Sequence, residues 1–103
     1  MIISLMHRHY DESHLVKVTE QMKTMGAPKL RCVWSEVHGM WMAVEGCHRL
    51  RAAKALGLEP QIIDISEKKS AAVQWDGESK RFTKKQLLEL LNNNAALTTI
   101  LDF

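Results

Sequence analysis

Residues 45–49 set an acid, a glycine, a thiol, an imidazole and a guanidinium in consecutive positions: Glu45-Gly46-Cys47-His48-Arg49, with Arg51 shortly after. The apolar stretch Met40–Val44 runs into this group as a strand would, and Leu50, Ala53 and Leu56 follow it at helical spacing. The start of a helix leaves backbone N–H groups unpaired and carries partial positive charge. A glycine there lets a ligand come close to the backbone, and arginine adds a forked charge that suits phosphate. The segment therefore reads as an anion site, with phosphate the favoured anion.

Each residue has an ordinary reading beside the chemical one. Arg49 and Arg51 stand two apart and cannot share a helix face, so Arg49 is assigned to the ligand, while Arg51 either holds phosphate or pairs with an acid. His48 donates to phosphate, works as an acid or base near neutral pH, or makes a structural bond at a helix start. A helix N-terminus beside Arg49 and His48 favours a thiolate at Cys47, the nucleophilic form, against the alternative of a small packing residue. Glu45 takes a proton from a substrate hydroxyl, holds Mg²⁺ through water, or partners an arginine. Gly46 through Arg49, with Arg51, is the expected phosphate cradle.

Other candidates carry less. Cys32 alternates with Leu30 and Trp34 and reads as buried packing, with no disulfide to Cys47 expected. His7, Arg8, His9, Tyr10 and His14 cluster without a nearby cysteine, so no metal site is expected from them. Trp34, Trp41 and Trp75 lie in strand-like segments and read as core. Lys68-Lys69, Lys80-Arg81 and Lys84-Lys85 read as a solvated basic face, or as contacts for nucleic acid or an acidic partner.

These residues must be positioned by a small fold. The 103 residues suffice for one domain, and the 46% apolar and 25% charged composition is that of an ordinary globular chain. A net charge of +2 is too mild to argue for a DNA surface by itself. No apolar run approaches the ~20 residues of a membrane span, and the opening Met1–Met6 lacks the form of a signal peptide. With two cysteines, the expected setting is the cytoplasm and no membrane partner is expected.

Met1–Leu5 reads as a strand. Asp11 reads as the N-cap of a helix with Leu15, Val18, Met22 and Met25 inward, Lys17, Glu20, Gln21 and Thr24 outward, and a stop at Gly26-Ala27-Pro28. Leu30–Ser35 and Met40–Val44 read as a hairpin around Glu36–Gly39. After the short helix, Gly57 and Pro60 lead into a strand with Ile62, Ile63 and Ile65. Ala71–Trp75 and Lys80–Thr83 flank Asp76-Gly77 as a second hairpin. Thr83 caps a helix with Leu87, Leu88, Leu90 and Leu91, broken by Asn92-Asn93-Asn94, and Ala95–Phe103 is expected to add a further helical turn or two. The expected class is α+β: a mixed sheet with packed helices in a single small domain, with a core over 1–66 and a hairpin-plus-helix extension over 67–103.

From Pro28 to Ile65, this pattern resembles the core of the ParB/sulfiredoxin superfamily. Gly46-Cys47-His48-Arg49 is similar to the sulfiredoxin signature, whose cysteine attacks a sulfinyl phosphate made from ATP. Gly46 through Ala52 also resembles the Gly-Glu-Arg-Arg-x-Arg-Ala box with which ParB proteins hold the triphosphate of CTP. Arg49, Arg51 and Ala52 match that box; Cys47 stands at its glutamate and His48 at its first arginine. Glu45-Gly46-Cys47-His48-Arg49 further resembles the acidic–Gly–x–His–Arg sites of a kinase branch. In the helix from Asp11, sulfiredoxins place a lysine and hydroxyl residues near the nucleotide, where this chain offers His14, Lys17 and Thr19. The family also places the chain before that helix close to the site.

The resemblance implies a nucleoside triphosphate, ATP or CTP with Mg²⁺, as ligand, and phosphoryl transfer or nucleotide hydrolysis with Glu45 or His48 as acid or base. It also implies two other classes: sulfiredoxin-like reduction through Cys47, and a ParB-like module that binds DNA or protein without catalysis.

Overall fold

The first helix starts where Asp11 accepts the His14 N–H at 3.0 Å and ends at Gly26, whose φ is 80°. These caps bound α1, Glu12–Met25, in a computed structural model that describes residues 1–75, 77–95 and 98–103. Ahead of it lies β1, Ile2–Ser4; after it come β2, Lys29–Ser35, and β3, Met40–Ala43, joined by the 36–39 turn. Then follow α2, Cys47–Leu56, and β4, Gln61–Asp64. β5, Ser70–Trp75, and β6, Glu78–Thr83, pair as a separate two-stranded sheet. α3, Lys84–Asn94, and β7, Ile100–Asp102, complete the described chain. Asp76, the other half of the expected turn, lies outside the described residues.

The main sheet runs β4-β2-β3-β1-β7, and it is mixed. β2 and β3 are antiparallel, whereas β1 lies parallel to β3 and β4 parallel to β2. The α1 and α2 crossovers make those two parallel pairings possible, because parallel neighbours need a long connection. The class is α+β, a small domain of three helices, a five-stranded mixed sheet and a hairpin.

Paired residues share a face. Ser4, Met42 and Val33 therefore lie on one face, and Ile3, Trp41 and Trp34 on the other. Ile3, Leu30, Cys32, Met42 and Leu50 form the core with Leu87 and Leu91 of α3. A second cluster joins Met22 of α1 to Ala52 and Ala53 of α2, both fully buried. The two alanines let the helices approach closely, and they widen the inward face of α2 beyond Leu50, Ala53 and Leu56.

Four expectations are corrected. Met25, the last residue of α1 before the Gly26 cap, is 81% exposed. Trp34 is exposed at the end of β2. The asparagine run does not break α3; the helix continues to Asn94, and the Asn92 Oδ1 accepts the fully buried Ser35 hydroxyl at 2.7 Å. The last segment is not helical from Thr98 on, because Ile100–Asp102 pairs antiparallel with β1 and covers its free edge; Ala96 and Leu97 lie outside the described residues. Thr83 caps α3 as expected, in a reciprocal capping box with Gln86.

The Ser35–Asn92 bond predicts its own test. Asn92→Ala leaves a buried hydroxyl without its acceptor and should cost about 1–3 kcal/mol. Urea unfolding should show a lower midpoint with an unchanged slope.

Candidate functional site

Gly46 has φ 75° and ψ 35°, the left-handed conformation, and serves as N-cap of α2 without a side chain to cap it. The reason for glycine is packing: a Cβ there would sit 2.2 Å from Leu30 Cδ2. Leu30 fills the space where a side chain would go, and Gly46 itself also lines the cleft. Leu50 N–H donates to the Gly46 carbonyl at 2.8 Å, which closes the first turn. The N–H groups of that turn receive no side-chain cap from Gly46, so the partial positive charge of the helix start stays available.

The flanking charges are largely committed. Glu45 accepts from the Arg31 backbone N–H at 3.0 Å with one oxygen and from Arg31 Nη2 at 3.2 Å with the other. Burial pushes its carboxyl pKa up, but the Arg31 bonds and the charges of Arg31 and Arg49 outweigh burial and leave it below the usual value. The lowered pKa makes this carboxylate a weaker base, and each of its oxygens accepts from Arg31. Arg49 Nη1 donates to the Lys29 carbonyl at 3.3 Å, which leaves its other donors uncommitted.

His48 Nε2 accepts the Asp11 backbone N–H at 2.9 Å and so ties the start of α2 to the start of α1. An accepting Nε2 carries no proton, which makes His48 the neutral Nδ1–H tautomer. Burial lowers its pKa from 6.5, the nearby His14 lowers it further, and Asp11 opposes them. The His14 ring stands edge-on at 4.5 Å. Cys47 is 7% exposed, and its Sγ lies 3.8 Å from the His7 carbonyl. Cys32 is fully buried; burial, followed by the charges of Glu45 and Asp64, pushes its thiol up to about 12, consistent with packing. Both cysteines are free.

These groups open into a cleft of about 750 Å³. Glu45, Gly46, Cys47, His48, Arg49 and His14 line it together, with His7 and His9 from the segment before α1. Lys17 and Thr19 are not in its lining; Lys17 is exposed, and the Thr19 hydroxyl donates to the Leu15 carbonyl within α1. Arg51 is also outside the lining. Its Nη2 donates to the Arg8 carbonyl at 2.9 Å and to the Thr99 hydroxyl at 3.2 Å, and its guanidinium lies 4.3 Å over the Tyr10 ring. Arg51 thus fastens the segment carrying His7 and His9 to α2 and to the chain before β7. Among the described residues no group of three or more His, Cys, Asp or Glu side chains could hold a metal ion.

Sequence reasoning missed Arg31, Gln74, Trp75 and Gly77, all of which line the cleft. Arg31 left one signal, a charge between Leu30 and Cys32 in an apolar strand. The hairpin residues left none, because their position depends on how the second sheet meets the first. No protein-family model, curated protein or solved structure matches the chain.

The His48 bond gives a pH prediction. A folded-state pKa below 6.5 means that the unfolded chain binds more protons. The stabilisation is complete above the unfolded value and is lost as the pH falls through the folded one. In His48→Gln the amide oxygen can still accept the Asp11 N–H but does not titrate. Melting temperatures followed from about pH 7 to about pH 5 should fall less steeply in this variant than in the wild type; identical slopes would show that His48 is not held neutral.

Proposed function

We propose that this protein is a ParB/sulfiredoxin-like domain whose cleft binds the phosphate groups of a nucleoside triphosphate, ATP or CTP with Mg²⁺, in the cytoplasm. The observation that carries this reading is the uncapped start of α2 opening, beside Arg49 and His48, into a cleft that also reaches Trp75. The first-turn N–H groups and the free donors of Arg49 suit phosphate oxygens. His48 contributes its Nδ1–H as a neutral donor. Trp75, half-buried in the same lining, offers a face for the base.

Magnesium would come in on the phosphate oxygens, since it is usually bound by substrate phosphates, water and one or two carboxylates. Any phosphoryl transfer or hydrolysis would rest on positioning and charge neutralisation. Glu45 acts there as the residue that positions Arg31. The sulfiredoxin-like alternative is favoured by one observation, that Cys47 lies in the first turn of α2 and lines the cleft. The exposed basic residues of β6 and the first turn of α3 lie outside that lining, and a DNA- or protein-binding role would use them instead.

A thermal-shift titration with ATP and CTP, each with Mg²⁺, tests the reading. At about 100 times its dissociation constant, a ligand adds about 2.7 kcal/mol, a rise of roughly 10 °C or more in Tm for a domain of this size. Arg49→Ala should weaken nucleotide binding about tenfold or more. Trp75→Ala should weaken ATP or CTP about tenfold yet leave inorganic tripolyphosphate unaffected. Cys47→Ser should keep binding, and loss of a turnover activity in that variant alone would select the sulfiredoxin-like chemistry. No shift with either nucleotide would overturn the phosphate reading and leave an interaction module.

A further inference from the structure

A second cavity, of about 530 Å³, has the opposite chemical character from the first. It forms because β4 ends at Asp64, paired with Cys32, while β2 continues to Ser35. Beyond Asp64 the chain turns, and side chains replace strand pairing. The Trp34 N–H donates to the Ser66 hydroxyl at 2.8 Å, and the Ser66 N–H donates to Asp64 Oδ1 at 2.9 Å. Trp34 is left 38% exposed at the end of the strand.

Trp34 and its cross-strand partner Trp41 line this cavity with ring centroids 5.2 Å apart and planes at 75°. Glu36, Asp64 and Glu67 bring three carboxylates to the same lining, against the single ammonium of Lys84. The Ser66 hydrogen bonds, aided by the charge of Lys84, hold the Asp64 carboxyl below its usual pKa. Among the described residues, the ion pairs involve none of these three acids, and the cation–π contacts lie elsewhere, at Tyr10 and Phe103. The cavity thus combines indole faces that no cation of the chain covers with excess negative charge, on a chain whose net charge is +2. Indole faces attract cations, most strongly weakly hydrated ones.

We propose that the Trp34–Trp41 corner, with Glu36, Asp64 and Glu67, binds an alkylammonium cation. The same group is found on free small amines and on lysine side chains. The test titrates the intrinsic fluorescence of the whole protein with choline, butylammonium, a blocked Gly-Lys-Gly peptide and 3,3-dimethylbutanol, the uncharged shape match of choline. Choline should give a saturable change, with dimethylbutanol about tenfold weaker or more. Tighter binding of the peptide than of butylammonium would assign the source to a polypeptide, and the reverse to a free amine. Trp34→Leu should remove the response. Glu36→Gln with Glu67→Gln, both at exposed positions, should weaken it several-fold at low salt and carries the test if the tryptophan variant does not fold. No saturable response to any cation, equal binding of dimethylbutanol, or an unchanged response in these variants would overturn the proposal.

Discussion

The start of α2 is clasped to the start of β2 at three successive points, and the first cleft depends on that clasp. Gly46 meets Leu30 where no Cβ would fit. Glu45 pairs with Arg31 on one side of Leu30, and Arg49 reaches the Lys29 carbonyl on the other. A left-handed residue lets the chain leave β3 and enter the helix within two residues of Val44, whose N–H still bonds the Arg31 carbonyl at 3.2 Å. Any side chain at position 46 would have to displace Leu30 from a fully buried site, so the strain of a positive φ and the cost of overpacking fall on one residue. The clasp aims the first turn of α2, and through it His48, at the start of α1.

That arrangement divides the basic residues by task. Arg31 is neutralised by Glu45, and Arg51 is spent on the Arg8 carbonyl, Thr99 and Tyr10. Arg49 remains, joined by the dipole of α2 and by neutral His48. These are directed donors rather than bulk charge, on a chain whose net charge is small. The two candidate bases are already engaged: Glu45 accepts from Arg31, and His48 Nε2 accepts the Asp11 N–H.

The parts legible in the sequence are those whose cause is local. Asp11, Gly26, Gly39 and Thr83 act on the few residues beside them, and the boundaries of α1, the first hairpin and α3 followed from these signals. The run 45–49 could be read as a site because strand, glycine and helix adjoin in the chain. What failed depends on distant partners. β7 exists because β1 has an open edge, and Asn92 stays helical because Ser35 waits for its side chain. The sequence leaves Arg51 open between phosphate and an acid partner, and its Nη2 is taken instead by residues more than forty positions away. That Leu30 is the neighbour of Gly46 cannot be inferred from spacing.

β2 is the element that relates the two cavities. At roughly 3.3 Å per residue, the three positions from Arg31 to Trp34 carry the chain about 10 Å. Over that short distance β2 passes from Arg31, in a lining with His7, His9, His14 and His48, to Trp34, in a lining with Glu36, Asp64 and Glu67. The strand crosses the interior through Cys32 and Val33, both buried, which keeps the two sets of charges apart. A carboxylate from the second set placed in the first would cancel Arg49, and an arginine from the first placed in the second would cover the indoles. The buried centre of β2 therefore supports the sheet and also separates the two linings. Glu45, the acid of the first cleft, is paired there with Arg31.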